Sequence, residues 1–191
     1  DVIVEAQRSK ELSLDILKSW FATLPEKTDD YDYEVVTGPE TWAPKDTGEV
    51  TVSVRNKNTN NTQQFTTNYS VRDTLAPNGK LKDSLEFEEG SAEPDLRELL
   101  DGDPTDNWSF PDDIKLAITF ENGKKFSELP VGEHNFTLLL TDESNNSTEL
   151  KGKLTIRSSF VIQSDVIVEA QRDKDLSRDI LKSWFTTLPE D

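Results

Sequence analysis

Three aspartates in the run DGDPTDN, Asp101, Asp103 and Asp106, have the close spacing that lets carboxylates converge on one hard cation such as calcium. The run lacks the distal glutamate and the spacing of an EF-hand. Its structural reading is a turn, bent by Gly102 and Pro104, in which the aspartates cap backbone donors. Asp29, Asp30 and Asp32 form a similar group earlier in the chain. Paired carboxylates also perform glycoside hydrolysis, but among 38 acidic residues close pairs are expected everywhere. The one histidine, His134, sits in alternating strand text, which makes a Ser-His-Asp arrangement a poor fit. Without cysteine there are no disulfides, thiolate metal sites or thiol nucleophiles. No catalytic, cofactor-binding or metal residue is assigned, and calcium is the one cofactor the aspartate groups leave open.

Six N-x-S/T sequons begin at Asn60, Asn68, Asn107, Asn135, Asn145 and Asn146. They are glycan acceptors in a host with that pathway. Their plainer meaning is a chain whose turns and polar strand faces are rich in Asn, Ser and Thr.

The elements that would position these residues are marked by a repeat. Residues 1–26 read DVIVEAQRSKELSLDILKSWFATLPE and residues 165–190 read DVIVEAQRDKDLSRDILKSWFTTLPE, an offset of 164 with four substitutions. A period this long makes the repeating object a whole domain or a pair of domains. The substitutions are Ser9 to Asp173, Glu11 to Asp175, Leu14 to Arg178 and Ala22 to Thr186. On a helical wheel positions 11, 14 and 22 share one stripe, opposite Ile16, Leu17, Trp20 and Leu24. The spacing predicts an amphipathic helix with a cap at Ser9 and Asp173, an end at Pro25 and Pro189, and Trp20 in the core.

Between the two copies the text alternates apolar and polar residues, as half-buried strands do. Val50, Val52 and Val54 precede a polar turn, and Phe65, Thr67, Tyr69 and Val71 follow it. Phe136, Leu138 and Leu140, then Leu150, Leu154 and Ile156, repeat the plan. Thr47-Gly48-Glu49 aligns with Val131-Gly132-Glu133, Asn60-Asn61-Thr62 with Asn145-Asn146-Ser147, and VIVEAQ from Val2 with LEFEEG from Leu85. The 164-residue unit is thus two diverged halves, each reading strand, helix, strand, connection and hairpin, with middle strands at 31–36 and 114–120. The joints around Pro77 and Phe160 lack the Gly/Ser richness of flexible linkers.

The formal net charge is −17 with 33% hydrophobic residues, yet Leu, Ile, Val and Phe make up about a quarter of the chain, above the disordered range. That charge, with no basic cluster, excludes nucleic acid as a partner. No apolar run approaches the length of a membrane span, and export or anchoring signals are expected outside these residues.

Asp101-Gly102-Asp103, Val131-Gly132 opening a strand, Thr141-Asp142 at its end and Asn145 in the following turn form one set of motif residues. On these, residues 85–157 resemble the bacterial immunoglobulin-like repeats of Gram-positive cell-wall-anchored surface proteins. In the first half Arg55-Asn56 stands where Thr-Asp would be expected. The acidic composition, free of Cys and Met, fits such exported proteins. The resemblance implies a mainly β chain of two tandem immunoglobulin-like β-sandwich domains, each with a short helical crossover. The halves are 1–76 and 77–160, with 161–191 starting the next copy. It further implies a non-catalytic stalk at the bacterial cell surface, whose partners are neighbouring repeats of the same chain. The alternative is an adhesive module for host glycan or matrix protein, with Trp42 and Trp108 as its first aromatic anchors. Gram-positive sandwiches of this type also form Lys–Asn cross-links, for which Lys115 and Lys153 are the candidate lysines.

Overall fold

The structure, a computed structural model, describes residues 1–162 and 176–187. The first half carries β1 (Val2–Glu5), α1 (Leu14–Ser19), β2 (Tyr31–Thr37), β3 (Thr47–Asn56) and β4 (Thr62–Arg72). The second half carries β5 (Glu86–Glu88), β6 (Lys115–Phe120), β7 (Gly132–Thr141) and β8 (Ser147–Arg157), with a 3-10 turn at Leu96–Leu99 where the first half has α1. The chain is therefore mainly β, with two tandem units and a short helical crossover in each, as expected.

The two halves share one sheet plan. Strand order is β1-β4-β3-β2 in the first sheet and β5-β8-β7-β6 in the second. In each, the first strand runs parallel to the last: Val4 pairs with Val71 and Glu5 with Arg72, while Phe87 pairs with Ile156 and Glu88 with Arg157. The turns match as well, since Asn60 and Asn145 both take positive φ, 58° and 69°, a conformation asparagine tolerates better than most residues.

By its contacts the chain divides into two compact units. The first comprises Asp1–Asn78, Pro104–Lys115 and Leu140–Thr148; the second comprises Gly79–Asp103, Leu116–Leu139 and Glu149–Asp191. In the first unit, alternation puts Val50, Val52, Tyr69 and Val71 on the buried side of the sheet. Trp42 packs in one cluster with Val50, Tyr69 and Val71 and is wholly buried. Its ring meets Trp20 and Tyr69 edge-on at centroid distances of 6.4 and 5.1 Å, and its indole N–H donates to the Lys10 carbonyl at 3.0 Å. Gly48 lets the Tyr69 ring lie flat against the strand, because a Cβ there would come within 3.1 Å of it. Burial, reinforced by the Asp46 carboxylate, raises the Tyr69 phenol above its ordinary pKa. The second unit packs Phe87, Phe120, Phe126 and Phe136 ring against ring.

The helix is shorter than its apolar periodicity suggests. Its cap is Ser13, whose Oγ accepts from Ile16 N at 3.4 Å. Ser9 instead accepts from Glu11 N, and the Gln7 amide donates to the carbonyls of Ser9 and Glu11, which holds the preceding stretch as a loop. At the other end Ser19 Oγ donates back to the Ile16 carbonyl at 2.6 Å, and Trp20 N bonds Leu17 three residues back, tightening the last turn. Leu24 thus lies beyond the helix and is exposed, whereas Leu17 is buried and Leu14 exposed, as the stripe predicts.

Residues 163–175 and 188–191 lie outside the described residues, and with them much of the second copy of the 26-residue segment, including the expected cap Asp173 and end Pro189. In the remainder, α2 (Arg178–Lys182) repeats the local plan of α1, with Ser177 Oγ accepting from Ile180 N at 3.3 Å and Ser183 Oγ donating to the Ile180 carbonyl at 2.7 Å. Trp184 and Phe185 are partly buried. Phe185 stacks edge-on against Phe160 at 5.5 Å, in a small ladder of β9 (Val161–Ile162) with β10 (Phe185–Thr187).

Trp42→Ala should cost about 3–5 kcal/mol of stability in denaturant unfolding. Leu14→Arg, which copies the second repeat, should stay within about 0.5 kcal/mol of the parent.

Candidate metal centre

Within the first compact unit three chain segments bring their carboxylates together. Asp73 follows β4 directly, and Asp142 follows β7 and opens its hairpin turn. Asp106 lies on a loop anchored by reciprocal backbone bonds between Asn78 and Thr105, each 2.8 Å. One oxygen from each of Asp73, Asp106 and Asp142 lies within 4.8 Å of the other two.

The surrounding hydrogen bonds fix these side chains. Asp106 Oδ2 accepts from the backbone N–H groups of Trp108 and Ser109 at 2.9 and 2.8 Å, an Asx turn. Asp142, only 1% exposed, accepts from Asn146 N at Oδ1 and from Asn146 Nδ2 at Oδ2, both at 2.8 Å. Asn146 Nδ2 also donates to the Asp73 carbonyl at 3.2 Å. Asn107 Nδ2 donates to Asp73 Oδ1 at 3.0 Å and to the Ala6 carbonyl at 2.8 Å.

What remains unpaired is all acceptor oxygen. Asp73 Oδ2, Asp106 Oδ1 and Asn107 Oδ1 are closed off from solvent and have no hydrogen-bond partner. Among the described residues no Lys, Arg or His forms an ion pair with any of the three aspartates. Two carboxylates at 4.8 Å repel by roughly 3.5 kcal/mol at an effective dielectric of about 20. A buried acceptor left without a donor costs about 1–3 kcal/mol more. A divalent cation relieves both penalties. The donor set is oxygen only, with no imidazole or thiolate, which suits calcium and not zinc.

Of the aspartates expected from sequence, only Asp106 belongs to this centre. Asp101 is held by Lys80 at 2.7 Å, and that hydrogen bond and charge keep its carboxyl below the ordinary value while raising Lys80. Asp103 is exposed. In the earlier group, Asp32 pairs with Arg55 at 2.6 Å and Lys57 at 3.4 Å, and Asp29 lies 3.8 Å from Lys18. The Arg55 hydrogen bond lowers the Asp32 pKa. Asp101 and Asp32 are thus paired with protein cations, whereas Asp30 and Asp103 form no ion pair among the described residues. Asp142 belongs to the Thr141-Asp142 turn that the sequence marks, but nothing in the sequence around Asp73 singles it out.

The remaining candidates have structural surroundings. His134 is half-buried, its Nε2 2.6 Å from the Pro130 carbonyl. Trp108 is partly buried, with the Arg8 guanidinium 4.7 Å from its ring centroid and 3.5 Å from that of Phe110, and its carbonyl accepts from Arg8 Nε at 2.8 Å. Lys153 is exposed beside Glu133, and Lys115 is exposed. The sequons at Asn107 and Asn146 begin with amides already engaged in the centre.

No family model matches the chain, and no curated protein does. Among solved structures it is similar to human Protocadherin-24 EC1-2 (form II), at 15% identity and a TM-score of 0.29, over 82% of this chain and 93% of that one. It is similar also to human Mucin-like Protocadherin EC1-2, at 12% identity and a TM-score of 0.28, over 82% of this chain and 94% of that one. Among the described residues no helix is long and apolar enough to cross a membrane.

The Asp101 carboxyl should titrate below 3.8 by NMR. Because its folded pKa is depressed, the stability it lends is complete above the unfolded pKa and disappears as pH falls through the folded value. Asp101→Asn should remove that share of the acid dependence.

Proposed function

We propose that this chain is a non-catalytic tandem-repeat module of a bacterial cell-surface protein, acting outside the cell as a semi-rigid, wall-anchored stalk. Its halves are 1–76 and 77–160, with 161–191 opening the next copy. Its first compact unit is closed by a calcium ion on Asp73, Asp106 and Asp142, with Asn107 as a further oxygen donor. The observation that carries the stalk reading is the repeat. Over 26 residues the two copies differ only at positions exposed in the first copy, so every buried and half-buried position is kept.

Physical arguments support the details. A chain without disulfides gains rigidity from a cation that ties the end of β4 to loop 104–110 and to the β7–β8 turn. High negative charge keeps neighbouring copies apart. Trp42 lies wholly inside and Trp108 beneath Arg8, so both aromatics serve packing, and the adhesive alternative loses its named anchors.

Scattering from one, two and three 164-residue units should show a maximum dimension that grows in proportion to unit number; a dimension that failed to grow would overturn the stalk. After chelation, added calcium should raise the melting temperature, with half-saturation near 10⁻⁴ to 10⁻³ M, roughly the range of extracellular modules. At 100-fold excess over Kd the gain should be about 2.7 kcal/mol. Asp106→Asn should abolish the response, and magnesium should give little of it. A parent protein indifferent to calcium by both melting and calorimetry would remove the ion from the proposal.

A further inference from the structure

Among the described residues β2 is the outermost strand of the first sheet, paired with β3 on one side and with no strand on the other. Outside that ladder, no backbone hydrogen bond among the described residues reaches Asp32 to Val36. Free N–H and C=O groups of this kind template another strand, and edges are ordinarily blocked by lysine, proline, shortness or a bulge. β2 runs for seven residues and holds neither lysine nor proline. Its register shift comes only after Val35, so Tyr31 to Val35 keep regular pairing. Beside this edge lies a groove of about 540 Å³, within the size range of ligand clefts, walled by Tyr33, Glu34 and Val35 and by Glu11, Leu12 and Leu17. Val35 is opposite the buried Val52, so Val35 and Tyr33 face the buried side of the sheet. A strand laid along β2 continues that side. Its alternate side chains then enter the groove, where Leu12 is half-buried and Leu17 buried.

Charge decides which strand fits. Glu11 and Glu34 are exposed and form no ion pair among the described residues, whereas Lys10, the cation at the rim, is matched by Glu40 at 3.0 Å. The geometry points to β2 as a docking edge for an extended peptide of a partner protein, in which apolar residues alternate with lysine or arginine and which binds by strand addition. Its apolar residues fill the groove, and its basic residues stand on the other face beside Glu34. A second copy of this chain is a poor occupant. Pairing two β2 strands sets Asp32 and Glu34 against their own kind and brings together two chains of net charge −17. The docking edge goes beyond the stalk reading and depends neither on it nor on the cation.

The test titrates the isotope-labelled 191-residue chain with an acetylated, amidated octapeptide of alternating valine and lysine, following amide shifts by NMR and affinity by fluorescence anisotropy. Binding should move the amides of Asp32 to Val36 and of Leu12 and Leu17. An octapeptide of alternating valine and glutamate should not bind. Full N-methylation of the valine–lysine backbone, which keeps charge and side chains but removes every N–H, should abolish binding. Glu34→Lys, at an exposed position, should weaken the valine–lysine peptide by about 5-fold, the worth of one cross-strand charge pair. A parent chain that does not bind, equal binding of the N-methylated peptide, shifts spread over the acidic surface in place of β2 and its groove, or an affinity unchanged in Glu34→Lys would each remove the docking edge. Self-association of the chain through the same amides would make a second copy the occupant and defeat the inference equally.

Discussion

Everything in the first unit is built around the burial of one indole. With no cysteine to cross-link it, a four-stranded sheet must find a cover for its apolar face, and Trp42 supplies it from a loop. The side chain is useful only if its N–H is satisfied, and Lys10 offers the carbonyl that does this. That bond draws the stretch between β1 and α1 over the sheet. The backbone bridge to Gln7 fixes it there, and Trp20 then packs against the same ring. Large aromatic area, one polar tip and one matching acceptor together set the path of residues 6 to 20.

The acidic centre follows a different logic. Packing places Asp73, Asp106 and Asp142, yet packing does not satisfy them. Asn107 and Asn146 spend their amide donors on some of the cluster's oxygens and leave Asp73 Oδ2 and Asp106 Oδ1 without a donor. Most of the other acidic residues singled out by sequence meet a lysine or arginine, as Asp101 meets Lys80 and Asp32 meets Arg55. The difference separates paired surface charge from carboxylates with oxygens that lack any donor.

Sequence revealed the architecture more readily than the centre. The strands announced themselves by alternation at Val50, Val52 and Val54, and the kinship of the halves by Asn60 and Asn145, whose positive φ makes the turn residue informative. The helix was overextended because apolar periodicity through Leu24 continues past the point where Ser19 bonds back and closes the last turn. The centre was illegible for a geometric reason. Asp73, Asp106 and Asp142 are far apart in the chain and meet only through sheet pairing and a loop bridge, whereas spacing arguments see neighbours. Asp101 and Asp103 attracted notice by proximity to Asp106, and the local turn sends them elsewhere.

The parallel pairing of β1 with β4 also has a mechanical meaning. The chain enters this sheet at Val2 and leaves it at Arg72, and the two strands run in the same direction. Tension applied through those ends pulls the strands lengthwise past each other, so their hydrogen bonds share the load and yield together. An antiparallel pair pulled from its open end would instead unzip rung by rung. β5 and β8 repeat the arrangement. Each sheet is therefore fastened in shear along the line on which a tethered chain is pulled.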